Sequence, residues 1–143
     1  MTLIGIDHIQ LAMPKGKEEL ARSFFGDLLQ LEEVVKPSEL QKRGGCWFRS
    51  SPQTDGTSHG VAIHVGVEEA FSPARKAHAA FLVEGLEAMA QRLESHGATV
   101  KWDDAIPELR RFYTEDPFGN RIEMIEAADA GFTHTMPKQH RME

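Results

Sequence analysis

Hydrophobic and polar positions along the chain fall into two rounds of one order. In residues 4–13, Ile9, Leu11 and Met13 share one side of an extended chain, and His8, Gln10 and Ala12 share the other. This predicts a strand with one apolar and one polar face. Pro14-Lys15-Gly16 ends it. Over residues 18–29, Leu20, Phe24 and Leu28 recur four apart, with Ala21, Phe25 and Leu29 beside them. The spacing predicts a helix, and Glu18 and Glu19 suit its positive first turn. Short strands are expected at 31–35, stopped by Pro37, at 44–49, and at 61–67 with His64 in the middle. Residues 50–60 are almost all turn formers and predict a loop.

After a linker-like passage at 68–76, the order starts again. Residues 78–83 predict a strand with Ala79, Phe81 and Val83 on one face and His78 on the other. Residues 86–95 predict a helix with Leu86, Met89, Ala90 and Leu93 on a stripe, closed by Gly97. A short strand at 99–102 precedes strand patterns at 109–115 and 121–126. These two are joined by Asp116-Pro117-Phe118-Gly119-Asn120, a turn sequence that predicts a hairpin. Each round is therefore strand, helix, three strands. His8 and His78 lie in the two first strands; His64 and Glu123 lie in the two last. Two open sheets related by an approximate two-fold axis would gather these four side chains into one cavity. Glu123, between Ile122 and Met124, points away from both, and a carboxylate there needs solvent, a basic partner or a metal.

The chain has 143 residues, 41% of them hydrophobic and 27% charged, enough for one domain with a core. We expect that domain at residues 1–127, with modules at about 3–67 and 77–127, and a tail or arm at 128–143. The net charge of −6, without a lysine or arginine run, argues against nucleic acid and anionic membrane as partners. The first residues have neither the basic start nor the apolar core of a signal peptide, and no apolar run is long enough for a membrane span. The single cysteine, Cys46, precludes an internal disulfide and reads as a small buried hydrophobe. A cytoplasmic location is the expectation.

The chain resembles the vicinal oxygen chelate superfamily, which takes in glyoxalase I, fosfomycin-resistance transferases, extradiol dioxygenases, methylmalonyl-CoA epimerases and bleomycin-resistance proteins. The resemblance covers residues 4–126. It is carried by Ile6-Asp7-His8-Ile9 opening a strand before the helix with Phe24-Phe25-Gly26-Asp27-Leu28-Leu29. The second part is the hairpin with Phe112-Tyr113, Asp116-Pro117 and Gly119-Asn120-Arg121-Ile122-Glu123. It implies an α+β fold in which two βαβββ modules form a half-open mixed β-barrel with helices outside. It also implies a divalent metal held by His8, His78 and Glu123, with His64 in the place of a fourth ligand.

Imidazoles with a carboxylate suit a transition metal, with zinc ahead of iron, nickel, cobalt or manganese. By the same resemblance Glu123, or a metal-bound water, is the catalytic proton carrier, and Tyr113 matches a position facing the pocket. Gln10, which points the same way as His8, and Arg75, just before His78, are further candidates to hold a small-molecule substrate. Other readings of these residues stand beside that one. Glu123 can pair with Arg121 or Arg111, and Arg75 with Lys76 can be a solvated loop. Arg110 and Arg111 alternate, so one can point inward; Trp47 and Phe48 alternate, so one can form an apolar wall. His59, His96, His134 and His140 read as surface residues. The implied activity is a lyase or isomerase of the glyoxalase type acting on vicinal oxygens. An iron-dependent extradiol-type dioxygenase is the alternative, and a binding protein of the bleomycin-resistance kind is a third reading. Gln10 stands where fosfomycin transferases carry threonine, which weakens that assignment. A homodimer is expected, with modules pairing within or across chains.

Overall fold

The computed structural model describes residues 1–51 and 60–135. Most of the loop expected at 50–60, with His59, and residues 136–143, with His140, lie outside them. The chain forms two compact units, one of residues 1–79 and 115–121, the other of 80–114 and 122 onward.

In the first unit, β1 (Ile9–Met13) leads into α1 (Glu18–Ala21), which runs on as a wider π-helical segment, Arg22–Leu28. Then come β2 (Glu32–Val34), α2 (Ser38–Gln41), β3 (Cys46–Arg49) and β4 (Ala62–Val67). The sheet order is β1-β4-β3-β2, with β1 and β4 parallel and the other pairs antiparallel. Parallel neighbours need a long crossover, and the helical stretch after β1 begins it. One face is apolar: Leu11, Met13, Cys46, Phe48, Ile63 and Val65 are buried, as are Ala21, Phe24, Phe25 and Leu28 of the helix. Phe25 and Phe48 meet at 5.6 Å between ring centres.

Two expectations need correction here. The first strand begins at Ile9, where its ladder with Ile63 of β4 begins, and not at residue 4. Leu3, Ile4 and Ile6 are exposed. Leu20 is 47% exposed, because the stripe runs through Ala21, Phe24, Phe25 and Leu28 and Leu20 falls on its flank.

The turn at 115–121 belongs to this unit. Asp116 Oδ1 accepts from the backbone N–H groups of Phe118 and Asn120, both at 2.9 Å, and Gly119 takes φ +91°. Asn120 donates through Nδ2 to the Ala12 carbonyl at 2.8 Å and to Asp116 Oδ2 at 2.8 Å, and it accepts from Ala74 N–H at 3.0 Å. Burial pushes the Asp116 carboxyl up from its ordinary pKa, against the pull of these donors.

The second unit carries β5 (Ala79–Val83), α3 (Leu86–Ser95), β6 (Lys101–Asp103), β7 (Arg111–Glu115) and β8 (Arg121–Glu126), in the order β5-β8-β7-β6. The end residues Ala79, Glu115 and Arg121 group with the first unit. Its core is Leu86, Ala90, Leu93, Leu109, Phe112, Ile122 and Met124. At the start of α3, Leu86 N–H donates to Glu126 Oε2 at 3.0 Å, so a side chain from β8 supplies the cap that Gly85 cannot. Ala98 N–H returns to the Leu93 carbonyl at 3.0 Å past Gly97, closing the helix as its sequence predicts. The expected irregular tail starts with order: a 3₁₀ turn at Ala127–Asp129 and a helical turn at Phe132–Thr135. Asp129 accepts there from Arg110 N–H at 2.9 Å.

The fold is α+β, with two four-stranded mixed sheets each built on the βαβββ plan. Among the described residues no helix is long and apolar enough to cross a membrane.

Candidate metal site

Alternation along β1, β3 and β4 leaves one face of the first sheet for polar and aromatic groups. Gln10 and His64 are ladder partners across β1 and β4, and His64 and Trp47 are partners across β4 and β3. Three rings stack on this face. His64 lies 3.9 Å from Trp47 at 5° between planes, and 4.0 Å from His8 at 20°. Phe48 turned to the core, so Trp47 is the member of its pair that forms the wall. Gln10 lies over Gly66, where a Cβ would stand 2.6 Å from its Nε2.

His8 Nδ1 is 2.8 Å from Asp7 Oδ2, and His78 Nδ1 is 2.8 Å from the Lys76 carbonyl. An ionised carboxylate or a carbonyl only accepts, so each Nδ1 carries the hydrogen. In the neutral ring Nε2 then carries the lone pair that a metal requires. Burial, and next the nearby His8, lower the pKa of His64 and favour its neutral form.

Glu123 is buried on β8 and lies 3.5 Å from Arg111 Nη1. Arg111 also donates to Tyr113 Oη at 2.7 Å and to Asp103 Oδ1 at 2.9 Å. Of the two arginines, Arg111 turned inward. Arg110 is exposed, lies over the Trp102 ring at 4.5 Å and pairs with Glu87. Arg75, Lys76, His96 and His134 are exposed. His8 and His78 thus lie just before β1 and β5 and not within them; His8 stacks on His64 of β4, and Glu123 and Tyr113 lie around Arg111 in the second unit. Among the described residues no group of three or more His, Cys, Asp or Glu is arranged to hold an ion. Sequence reading did not name Asp7, Lys76 or Asp103 as partners; an acid directly before His8 was the one available signal.

The sequence profile of the Glyoxalase/Bleomycin resistance protein/Dioxygenase superfamily matches residues 5–124. The chain belongs to this superfamily. Within it, a Bacillus anthracis protein described as a glyoxalase family member is 47% identical, with a TM-score of 0.78 over 88% of this chain and 97% of that one. The fosfomycin resistance protein FosX of Listeria monocytogenes shares the fold at 16% identity, with a TM-score of 0.65 over 87% of this chain and 94% of its own. A FosX variant has been solved with Mn(II) and 1S,2S-dihydroxypropylphosphonic acid, at 17% identity and a TM-score of 0.64 over 88% of this chain and 91% of that one. No curated protein matches the chain.

The imidazoles of the first unit have the donor chemistry of transition-metal ligands: acceptors hold Nδ1 of His8 and of His78, and burial lowers the pKa of His64.

Proposed function

We propose that this superfamily member is a metal-dependent enzyme of the glyoxalase type, a lyase or isomerase acting on a small substrate with adjacent oxygens. In this reading His8, His78, His64 and Glu123 are the ligands, zinc is the first candidate metal, and residues 1–127 are the working domain. The observation that supports it is the proximity of His8, just before β1, to His64 on β4, with ring centres 4.0 Å apart. When bound, the metal supplies Lewis acidity to polarise a substrate carbonyl. The chain's own residues do the rest. Glu123 takes and returns the substrate proton, and the adjacent Arg111 guanidinium orients its carboxylate. Gln10 and Tyr113 offer hydrogen-bonding groups to the substrate, and Arg75 a positive charge for an anionic one. The 47% identity to a glyoxalase family protein supports the class of enzyme. The diol seen with Mn(II) in FosX is a compound with adjacent oxygens. The reading includes a cytoplasmic homodimer. The exposed Leu3, Ile4 and Ile6 give a second copy apolar surface to cover.

Elemental analysis tests the reading on wild type, His78→Ala and His64→Ala. About one equivalent of a transition metal is expected by the four-ligand stoichiometry of such sites. It should be lost with activity in His78→Ala and reduced in His64→Ala. Full retention in His64→Ala would turn the reading toward a three-ligand dioxygenase. Activity that persists in metal-free protein would end the metal-dependent reading.

A further inference from the structure

Trp47 has no part in the function proposed above, yet it makes the closest ring contact on that sheet face. It faces His64 across the β3–β4 ladder, with the indole 3.9 Å from the imidazole and 5° from parallel. His8 covers the opposite side of the same imidazole at 4.0 Å. The backbone of Trp47 is pinned on both sides, by Val34 on β2 and His64 on β4, and its neighbour Phe48 is locked in the core at 1% exposure.

A histidine ring turns broadly about χ2 unless something fixes its plane. For His8 and His78 an acceptor at Nδ1 does so. Among the described residues His64 has no such acceptor, and the two flat faces are what confine it. Stacking of this kind fixes the plane and leaves both nitrogens, which lie at the ring edge, uncovered.

We propose that Trp47 is a positioning residue for His64: its indole face sets the plane of the imidazole and so aims the ring nitrogens. The proposal rests on the reading of His64 as a ligand. Metal ligands are ordinarily oriented by a hydrogen bond from an outer partner; here an aromatic face takes that role.

The test uses the full chain with Trp47→Phe, Trp47→Leu and His64→Ala. Cobalt(II) affinity is measured by calorimetry and cobalt absorption bands by spectroscopy. The His64 ring-proton shifts are followed by NMR in metal-free protein, assigned by their absence in His64→Ala. Trp47→Leu should bind cobalt about tenfold more weakly, the loss typical of removing an outer-shell partner. Its absorption bands should change, and the His64 ring protons should lose their ring-current shift. Trp47→Phe, which keeps an aromatic face, should stay close to wild type in all three. If Trp47→Leu does not fold, Trp47→Met supplies an unbranched chain without a flat face. Wild-type affinity and bands in folded Trp47→Leu, or Trp47→Phe as impaired as Trp47→Leu, would overturn this proposal alone. Failure of wild type to bind cobalt, or unchanged binding in His64→Ala, would overturn the ligand reading, and this proposal with it.

Discussion

The two sheets follow one plan but accommodate their inner polar residues by opposite means. On the first sheet, His64 lies in mid-strand between two rings, Trp47 and His8, and burial favours its neutral form. On the second, Glu123 occupies the corresponding strand and lies beside a guanidinium, Arg111, which also grips Asp103 and Tyr113. An imidazole can shed its charge on burial at little cost and then packs as a flat apolar ring. A buried carboxylate needs a cation or strong donors close by. Equivalent places in a repeat therefore demand different neighbours when the side chains differ in charge.

The largest effect is expected at Arg111. Arg111→Met should lower the unfolding free energy in urea by about 3–5 kcal/mol, because Glu123 and Asp103 lose their shared cation. Arg111→Met combined with Glu123→Gln should recover part of that loss. A single variant as stable as wild type would break the contrast between an ionic and an aromatic face.

A smaller effect, of opposite sign, is expected at Thr114 on the same strand, β7. Among the described residues, buried Thr114 Oγ1 and Arg111 Nε have no hydrogen-bond partner. Thr114→Val removes one such atom and should stabilise the protein by about 1 kcal/mol in the same assay. Destabilisation would show that the hydroxyl is satisfied after all.

The smallest effect at neutral pH is expected on the core face of the first sheet. Burial pushes the Cys46 thiol up to about 11, against the opposing Arg22 guanidinium. The folded pKa exceeds the unfolded one, so this contribution is complete below the unfolded value near 9.0 and is lost as pH rises toward 11. Native protein should therefore resist thiol reagents at pH 8, and Cys46→Ala should flatten the alkaline fall in stability. Rapid labelling at pH 8 would contradict the burial of this thiol.

Much of this arrangement was legible in the chain. Leu86–Ser95 and Arg121–Glu126 lie where period and alternation place them, because each keeps a regular apolar spacing bounded by strong turn residues. The hairpin turn was legible for the same reason. The first strand was read five residues too long at its start, since a pattern of apolar residues does not reveal where a partner strand begins. Leu20 was misplaced because a four-residue spacing fits two adjacent stripes, and packing chose the one through Ala21. Candidate site positions were legible from the repeat. Their immediate partners were not, because Trp47 with His64, and Asp103 with Arg111, lie on different strands and meet only through strand register.

The sequence by itself determined the element order, the two-fold repeat and the set of residues able to bear chemistry, since these depend on local period and residue type. It also determined that one of Trp47 and Phe48, and one of Arg110 and Arg111, would face each way, because alternation allows nothing else. Only the tertiary structure decided which one. Phe48 met Phe25 in the core, which left Trp47 to His64. Arg111 met Asp103 across β6 and β7, which left Arg110 to the surface. Those choices turn on which sheet face a helix covers, and that depends on contacts between residues far apart in the chain.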